Sequence, residues 1–275
     1  MFRAALVVAL AALSFSCATT SGNGGSSAAS DDLRIAVEKS PFRLLNKLFP
    51  EMIPELFSTL REDFGYSDEQ LARFNGVAQE RCSPEKLRAT SQAYLESKMS
   101  SGDIALAAGF LRSAEGDRAI TEMLQSNERP PEELKARILE LQRSPPPEGR
   151  KQAVARFSKA FELSRMMKLT VGITEAALRI AVAPASPPLT DEALAEMIKE
   201  GTAEIVALGE MPPDFAELVM QAGLVNVSDA ELAQALVYLD SEAGRLYLKT
   251  IEEATLQSIR TCTADVEQQL KPQGI

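Results

Sequence analysis

One stretch of this chain is written twice. Residues 101–118 fall on residues 229–246 at an offset of 128, with Ala105, Ala107, Leu111, Ser113 and Gly116 recurring as Ala233, Ala235, Leu239, Ser241 and Gly244. Asp103 becomes Glu231, Ile104 becomes Leu232 and Phe110 becomes Tyr238, each a conservative exchange. Just upstream, Ser100 and Ser228 align, each with an acid three residues on. That spacing predicts two capping boxes, in which the serine hydroxyl accepts from the third helical amide and the acid accepts from the serine's own amide. The helix that follows presents Ile104, Ala107, Ala108 and Leu111 on one face, mirrored by Leu232, Ala235, Leu236 and Leu239. It stops at Ser113 or Ser241, which suit the N-cap of a second helix. A glycine in the first turn of that helix costs helix propensity, so Gly116 and Gly244 imply a close approach by the preceding helix. The unit is a tight αα-hairpin.

Beyond residue 31 the whole chain reads as helical. Apolar residues recur at three and four, Ala, Leu, Glu, Lys and Arg dominate, and no period-two run of Val, Ile and Thr occurs. Ser83-Pro84-Glu85 and Thr190-Asp191-Glu192 are helix starts. "SPPPEG" (144–149), "APASPPL" (183–189) and "EMPPDF" (210–215) are breaks. The expected fold is all-α, a multi-helix array of antiparallel hairpins in two weakly related halves. The N-terminal half covers 32–143, the proline-rich linker 144–149 and the C-terminal half 150–270, with most helices ten to eighteen residues long.

The N-terminus is expected to be a targeting segment. "MFRAALVVALAALSFSC" (1–17) has a positive Arg3 and an apolar stretch from Ala4 to Leu13, right for a signal sequence and too short to span a bilayer. It resembles a bacterial lipoprotein signal whose Cys17 is lipidated; an ordinary signal-peptidase site at Ser14-x-Ser16 is the alternative. "ATTSGNGGSSAAS" (18–30) is small and polar and reads, to residue 31, as a flexible tether that gives an upstream anchor a purpose. With Cys17 assigned to lipid, Cys82 and Cys262 remain as an even pair in an oxidising compartment. They are expected to form one disulfide, with two separately buried thiols as the alternative.

The chemical inventory is narrow. The chain has no histidine, which removes Ser-His-Asp and Cys-His catalysis and the usual zinc sites. No glycine-rich phosphate cradle is present. "SPEK" (83–86) fits Ser-x-x-Lys, but its companion motifs are missing and Ser-Pro-Glu is also a helix start. Ser113 and Ser241 have no recognisable base. The acid pairs Glu132-Glu133 and Glu252-Glu253 read as solvated helix faces, and Met166-Met167 as core filling. No catalytic residue, metal site or cofactor is expected. A net charge of −10 argues against nucleic acid and against an anionic membrane surface as an electrostatic partner.

The C-terminal copy, "VSDAELAQALVYLDSEAGRLYLKTI" (227–251), resembles a bacterial family of exported, all-helical proteins of unknown function (DUF2059-like). The family's acid falls on Glu231, its aromatic on Tyr238, its serine on Ser241 and its glycine on Gly244. Residues 150–178 resemble the helical lead-in to this module. The N-terminal copy departs, with Gly102 beside the acid and Asp117 after the glycine. The resemblance implies a helical fold and export, and brings no catalytic residues. The expectation is a non-catalytic lipoprotein of the outer membrane facing the periplasm, with a protein partner in the envelope. The alternative is a scaffold holding an apolar small ligand or lipid between helices, for which "MMKLTVGITEAALRIAVA" (166–183) supplies an apolar surface.

Overall fold

The computed structural model describes residues 28–126, 130–161, 163–185, 187–208 and 213–271; the expected signal segment, Cys17 and the tether up to residue 27 lie outside these. The described residues are helical with no strand. In chain order the helices are α1 (Ala28–Glu38), α2 (Arg43–Thr59), α3 (Arg61–Phe64), α4 (Asp68–Arg81), α5 (Pro84–Lys98), α6 (Ser101–Arg112) and α7 (Ala114–Ser126). There follow α8 (Pro131–Arg143), α9 (Glu148–Ala160), α10 (Leu163–Val182), α11 (Asp191–Leu208), α12 (Pro213–Gly223), α13 (Asp229–Leu239) and α14 (Glu242–Leu270).

Local signals set the boundaries. Ser67 opens α4 with a full capping box to Gln70, Ser83 caps α5 ahead of Pro84, and the Thr190 hydroxyl accepts from the Ala193 amide at the start of α11. Gly65 closes α3 in the left-handed region at φ 67°, where a Cβ would be penalised. Two starts fall inside segments expected to be irregular. α1 begins at Ala28, within the expected tether, where Asp31 pairs with Arg34 and, together with Asp32, with Arg112. α9 begins at Glu148, so the break between halves narrows to Ser144–Pro147.

The duplication extends well beyond the hairpin. α4 and α11 correspond at an offset of 123, with Ser67-Asp68-Glu69 matching Thr190-Asp191-Glu192, and Leu71 and Ala72 recurring as Leu194 and Ala195. The packing follows the same correspondence. α1 packs on α5 and α6, as α9 packs on α12 and α13; α2 packs on α4, as α10 packs on α11. Helix α6 packs on α14 and its counterpart α13 on α7, while α2 and α10 pack on each other. These relations describe a pseudo-twofold arrangement in which each half supplies partners to the other. Helix α5 of the first half lies along α14 of the second, and α12 of the second along α7 and α8 of the first.

The last helix of each half is where the copies diverge. α14 is one helix of 29 residues, longer than the sequence suggests for this chain. At an offset of 128 its counterpart is α7 and α8 together, interrupted where Pro130 and Pro131 fall. A proline inside a helix loses a backbone bond and clashes with the preceding turn, so the first copy breaks where the second runs on.

Both core clusters draw on both halves. One joins Leu95, Leu111 and Ile120 to Phe157, Leu236 and Tyr247; the other joins Phe49, Ile53 and Phe57 to Ile180, Ile259 and Val266. Each fully buried large side chain contributes about 1.5–3 kcal/mol over its exposed state. Buried hydroxyls on α14 are satisfied within that helix: Thr250, Thr255 and Thr263 each donate to the carbonyl four residues back. Cys82, at the end of α4, is disulfide-bonded to Cys262 on α14, with Cα atoms 5.1 Å apart and a sequence separation of 180. Both residues are buried.

The bridge therefore ties the two halves across the second core. Replacing both residues (Cys82→Ala with Cys262→Ala) should lower unfolding stability in urea by about 2–5 kcal/mol, toward the upper end because the closed loop is long. Intact mass under denaturing, non-reducing conditions with alkylation should show neither of the two thiols labelled in the parent chain.

Candidate functional site: the paired serine–glycine hairpins

The two copies of the motif meet at the pseudo-axis. The Phe110 and Tyr238 rings stack with centroids 4.5 Å apart and planes 18° from parallel. Aromatic pairs in offset stacks add about 0.5–1.5 kcal/mol beyond their buried area. The equivalent aromatic residues of the two hairpins are thus each other's partner. Tyr238 is half-buried, and its hydroxyl has no hydrogen-bond partner among the described residues. Burial, with the Asp103 carboxylate as a smaller influence, pushes the ionisation of Tyr238 well above the usual phenol range.

The two serines make matching bonds. Ser113 Oγ donates to the Phe110 carbonyl at 2.7 Å and accepts from the Gly116 amide at 3.0 Å. Ser241 Oγ donates to the Tyr238 carbonyl at 2.6 Å and accepts from the Gly244 amide at 3.0 Å. Each hydroxyl closes one helix and opens the next, with its proton committed to a carbonyl. The glycines are explained by the same carbonyls. A Cβ on Gly116 would lie 2.1 Å from the Phe110 oxygen, and one on Gly244 would lie 2.1 Å from the Tyr238 oxygen.

The entry caps differ between the copies. Ser228 forms the complete box: its hydroxyl accepts from the Glu231 amide, and Glu231 Oε2 accepts from the Ser228 amide at 2.7 Å. Ser100 accepts from the Asp103 amide, but the Asp103 carboxylate takes the Ser100 hydroxyl at 2.6 Å instead of its amide. The box expected at Ser100 is therefore half-formed, because aspartate is one methylene too short to reach back. The Ser228 hydroxyl and amide, with a smaller influence from Arg118, hold the Glu231 carboxyl below its ordinary range.

The residue before each motif serine ties its hairpin to the first helix of the same half, with charges exchanged. Arg112 pairs with Asp31 and Asp32 on α1, whereas Asp240 pairs with Arg156 on α9. Asp117, a departure of the first copy, pairs with Lys39 at 2.8 Å. Two further sequence candidates have structural roles. Ser83 caps α5; Glu253 accepts from the Tyr94 hydroxyl at 3.2 Å. The side chains of Met166 and Met167 lie outside the described ones. From residue 169 on, the apolar stretch is spent on the interior: Leu169, Ile173, Ala176, Leu178 and Ile180 are all buried.

One open groove of about 640 Å³ lies between α4 and α14. Arg73, Val77 and Arg81 line it from α4, and Asp265, Gln268 and Gln269 from α14. No motif announces it, since its walls come from residues four apart on one helix and from the distant end of another. Among the described residues, no group of three or more His, Cys, Asp or Glu is arranged to hold a metal ion, and no helix is long and apolar enough to cross a membrane. Comparisons with family models, with curated proteins and with solved structures give no match to this chain.

Two outcomes follow from this geometry. Ser241→Ala should cost about 1 kcal/mol in thermal or urea unfolding, through one lost cap. Gly244→Ala should cost about 3 kcal/mol or more, because the obstructing atom is backbone and cannot rotate away; equal costs for the two variants would contradict the close approach. Burial also raises the ionisation of Tyr247, whose hydroxyl donates to the Ala36 carbonyl at 2.7 Å, and pushes that of Tyr66 up to about 12. The folded state thus favours neutral phenols that ionise near pH 10 when unfolded. Their contribution is fully present below pH 10 and is lost as pH rises through their folded-state values. Absorbance at 295 nm should show no tyrosinate step from Tyr66, Tyr238 or Tyr247 near pH 10 in the folded chain. Their signal should appear at higher pH, together with loss of helical circular dichroism.

Proposed function

We propose that this protein is a non-catalytic cell-envelope lipoprotein, anchored through Cys17 to the outer membrane and facing the periplasm, that works as a helical protein-interaction module. The observation that carries the non-catalytic part is the bonding of Ser113 and Ser241. These are the side chains that the duplicated motif singles out, and both hydroxyls are committed to capping helices, with a carbonyl as acceptor and an amide as donor. Their glycines serve the same contact.

The compartment is supported by the buried Cys82–Cys262 disulfide, a bond that persists in oxidising surroundings such as a periplasm. The lipoprotein-like N-terminus, the polar tether and the resemblance of residues 227–251 to an exported helical family point the same way. The interaction role is supported by the architecture: interlocked helical hairpins with shared cores give a fixed scaffold that presents outward helix faces.

Cell fractionation tests the anchor and crosslinking tests the role. The chain should sediment with outer membranes, and Cys17→Ala should move it to the soluble periplasmic fraction. Crosslinking in intact cells should recover one or a few envelope proteins reproducibly. Cytoplasmic recovery of the parent chain would overturn the placement, and crosslinking that yields no specific protein would overturn the module reading.

A further inference from the structure

The outer sides of the motif helices are bare of charge. On α6 the exposed positions Gly102, Ala105, Leu106 and Gly109 share one side of the helix at a spacing of three and four. Their counterparts on α13, Ala230, Ala233, Gln234 and Val237, are exposed as well. Leu106 and Val237, at 57% and 74%, are the most open large apolar side chains among the described residues. The charged residues of both helices lie in the end turns and are engaged. Asp103 accepts the Ser100 hydroxyl, Arg112 pairs with Asp31 and Asp32, Asp229 with Arg150, and Glu231 with Arg118. A helix without charge on its outer side as well as its inner one is normally covered on both.

The two sides form one face. The Phe110 and Tyr238 rings stack between α6 and α13 at the pseudo-axis. A twofold rotation keeps equivalent positions at one height along its axis, so the outer sides of both helices point the same way. Size limits what can cover this face. It is about 18 Å long and about 20 Å wide, less than half of what a stable protein interface buries, about 800 Å² per partner. A second copy or a soluble partner gains too little there to stay bound. A surface to which the chain is already tied needs far less, because the tie makes the second contact intramolecular.

The chain enters the fold beside this face. Asp31 and Asp32, near the start of α1, pair with Arg112 at the end of α6, and α1 packs along α6. Eleven residues separate Cys17 from Ala28 and can reach at most about 40 Å, farther than α6 is long. We propose that the joint outer face of α6 and α13 rests on the phospholipid surface to which Cys17 is anchored, with Leu106 and Val237 entering the boundary between headgroups and acyl chains. The contact is apolar and calls for no anionic lipid, in keeping with a net charge of −10. This rests on the anchor assigned to Cys17 above and adds an orientation to it: the α6–α13 face is turned to the membrane, and the opposite side of the molecule is left to a protein partner.

The chain has no tryptophan, and Cys82 and Cys262 are bonded to each other, which leaves Cys17 as the one free thiol. Residues 17–275, which keep every described helix, are coupled through Cys17 to a maleimide lipid in phosphatidylcholine vesicles with brominated acyl chains. Single reporters are placed by Val237→Trp, by Leu106→Trp and, for reference on α8, by Leu139→Trp, a site 42% exposed. Emission from the first two should shift to the blue and fall at least two-fold against unbrominated vesicles, at low and high salt alike, while the reference stays unchanged. Adding Leu106→Glu to the Val237→Trp chain should restore its emission. Equal quenching at all three sites, or no quenching at 106 and 237, would overturn the proposal. So would a blue shift at 237 that grows with protein concentration in the absence of vesicles, since a second copy would then cover the face. Because the lipid is attached chemically, none of these outcomes bears on anchoring in the cell, which the fractionation of the Cys17→Ala chain decides separately.

Discussion

The architecture depends on two backbone carbonyls. The oxygens of Phe110 and Tyr238 occupy the space in which any residue but glycine at 116 or 244 would place its Cβ. This contact, with the serine hydroxyl bridging the same carbonyl to the next amide, fixes how sharply the chain turns from α6 into α7 and from α13 into α14. The turn sets the direction of α14, and α14 is the helix on which α2, α4, α5, α6 and α10 all pack. A looser turn would swing that helix away from the first half by an amount that grows along its length. The stacked rings of Phe110 and Tyr238 join the two turns, so the angle of one hairpin is coupled to that of the other.

Much of this was legible in the sequence for a physical reason. Helix starts and tight turns are local, and local signals survive in a single chain: Ser83, Thr190, Ser228 and Ser241 all cap the helices their spacing implies. The glycine's need for a close neighbour is also local, because it lies within one hairpin. What was not legible is everything that joins distant residues. That Phe110 would meet Tyr238, that α5 would cross to α14, and that Arg73 would share a groove with Asp265 depend on how the halves interlock, and no spacing encodes that. The half-formed box at Ser100 is a smaller lesson of the same kind. Aspartate and glutamate read alike in an alignment, yet one methylene decides whether the carboxylate reaches the serine's amide as well as its hydroxyl.

The weakness of the repeat in sequence also has a structural cause. Positions that hold the hairpins are kept because the backbone leaves no choice, whereas positions that join hairpin to lead helix need only opposite charges. Arg112 with Asp31 and Asp32, against Asp240 with Arg156, satisfies that need in both orientations. Surface ion pairs of this kind contribute little individually, so their polarity drifts at small cost. The result is a chain whose halves share a contact pattern more fully than they share residues.

The halves are alike in their turns and unlike at their ends, and that contrast separates what the scaffold needs from what it is free to change. In the second half a continuous helix, a buried core and the disulfide join α14 to α2, α4 and α10 at one end of the molecule. In the first half each of these is replaced: prolines interrupt the helix, Leu134 and Ile138 are half-buried, and Leu134 stands where the cysteine would be. The last two changes sit on the helix that the prolines set apart, so the interruption and the lost cysteine fall at one place. One closed end is enough to lock the halves together across the shared core. Once it does, the other end is relieved of that duty.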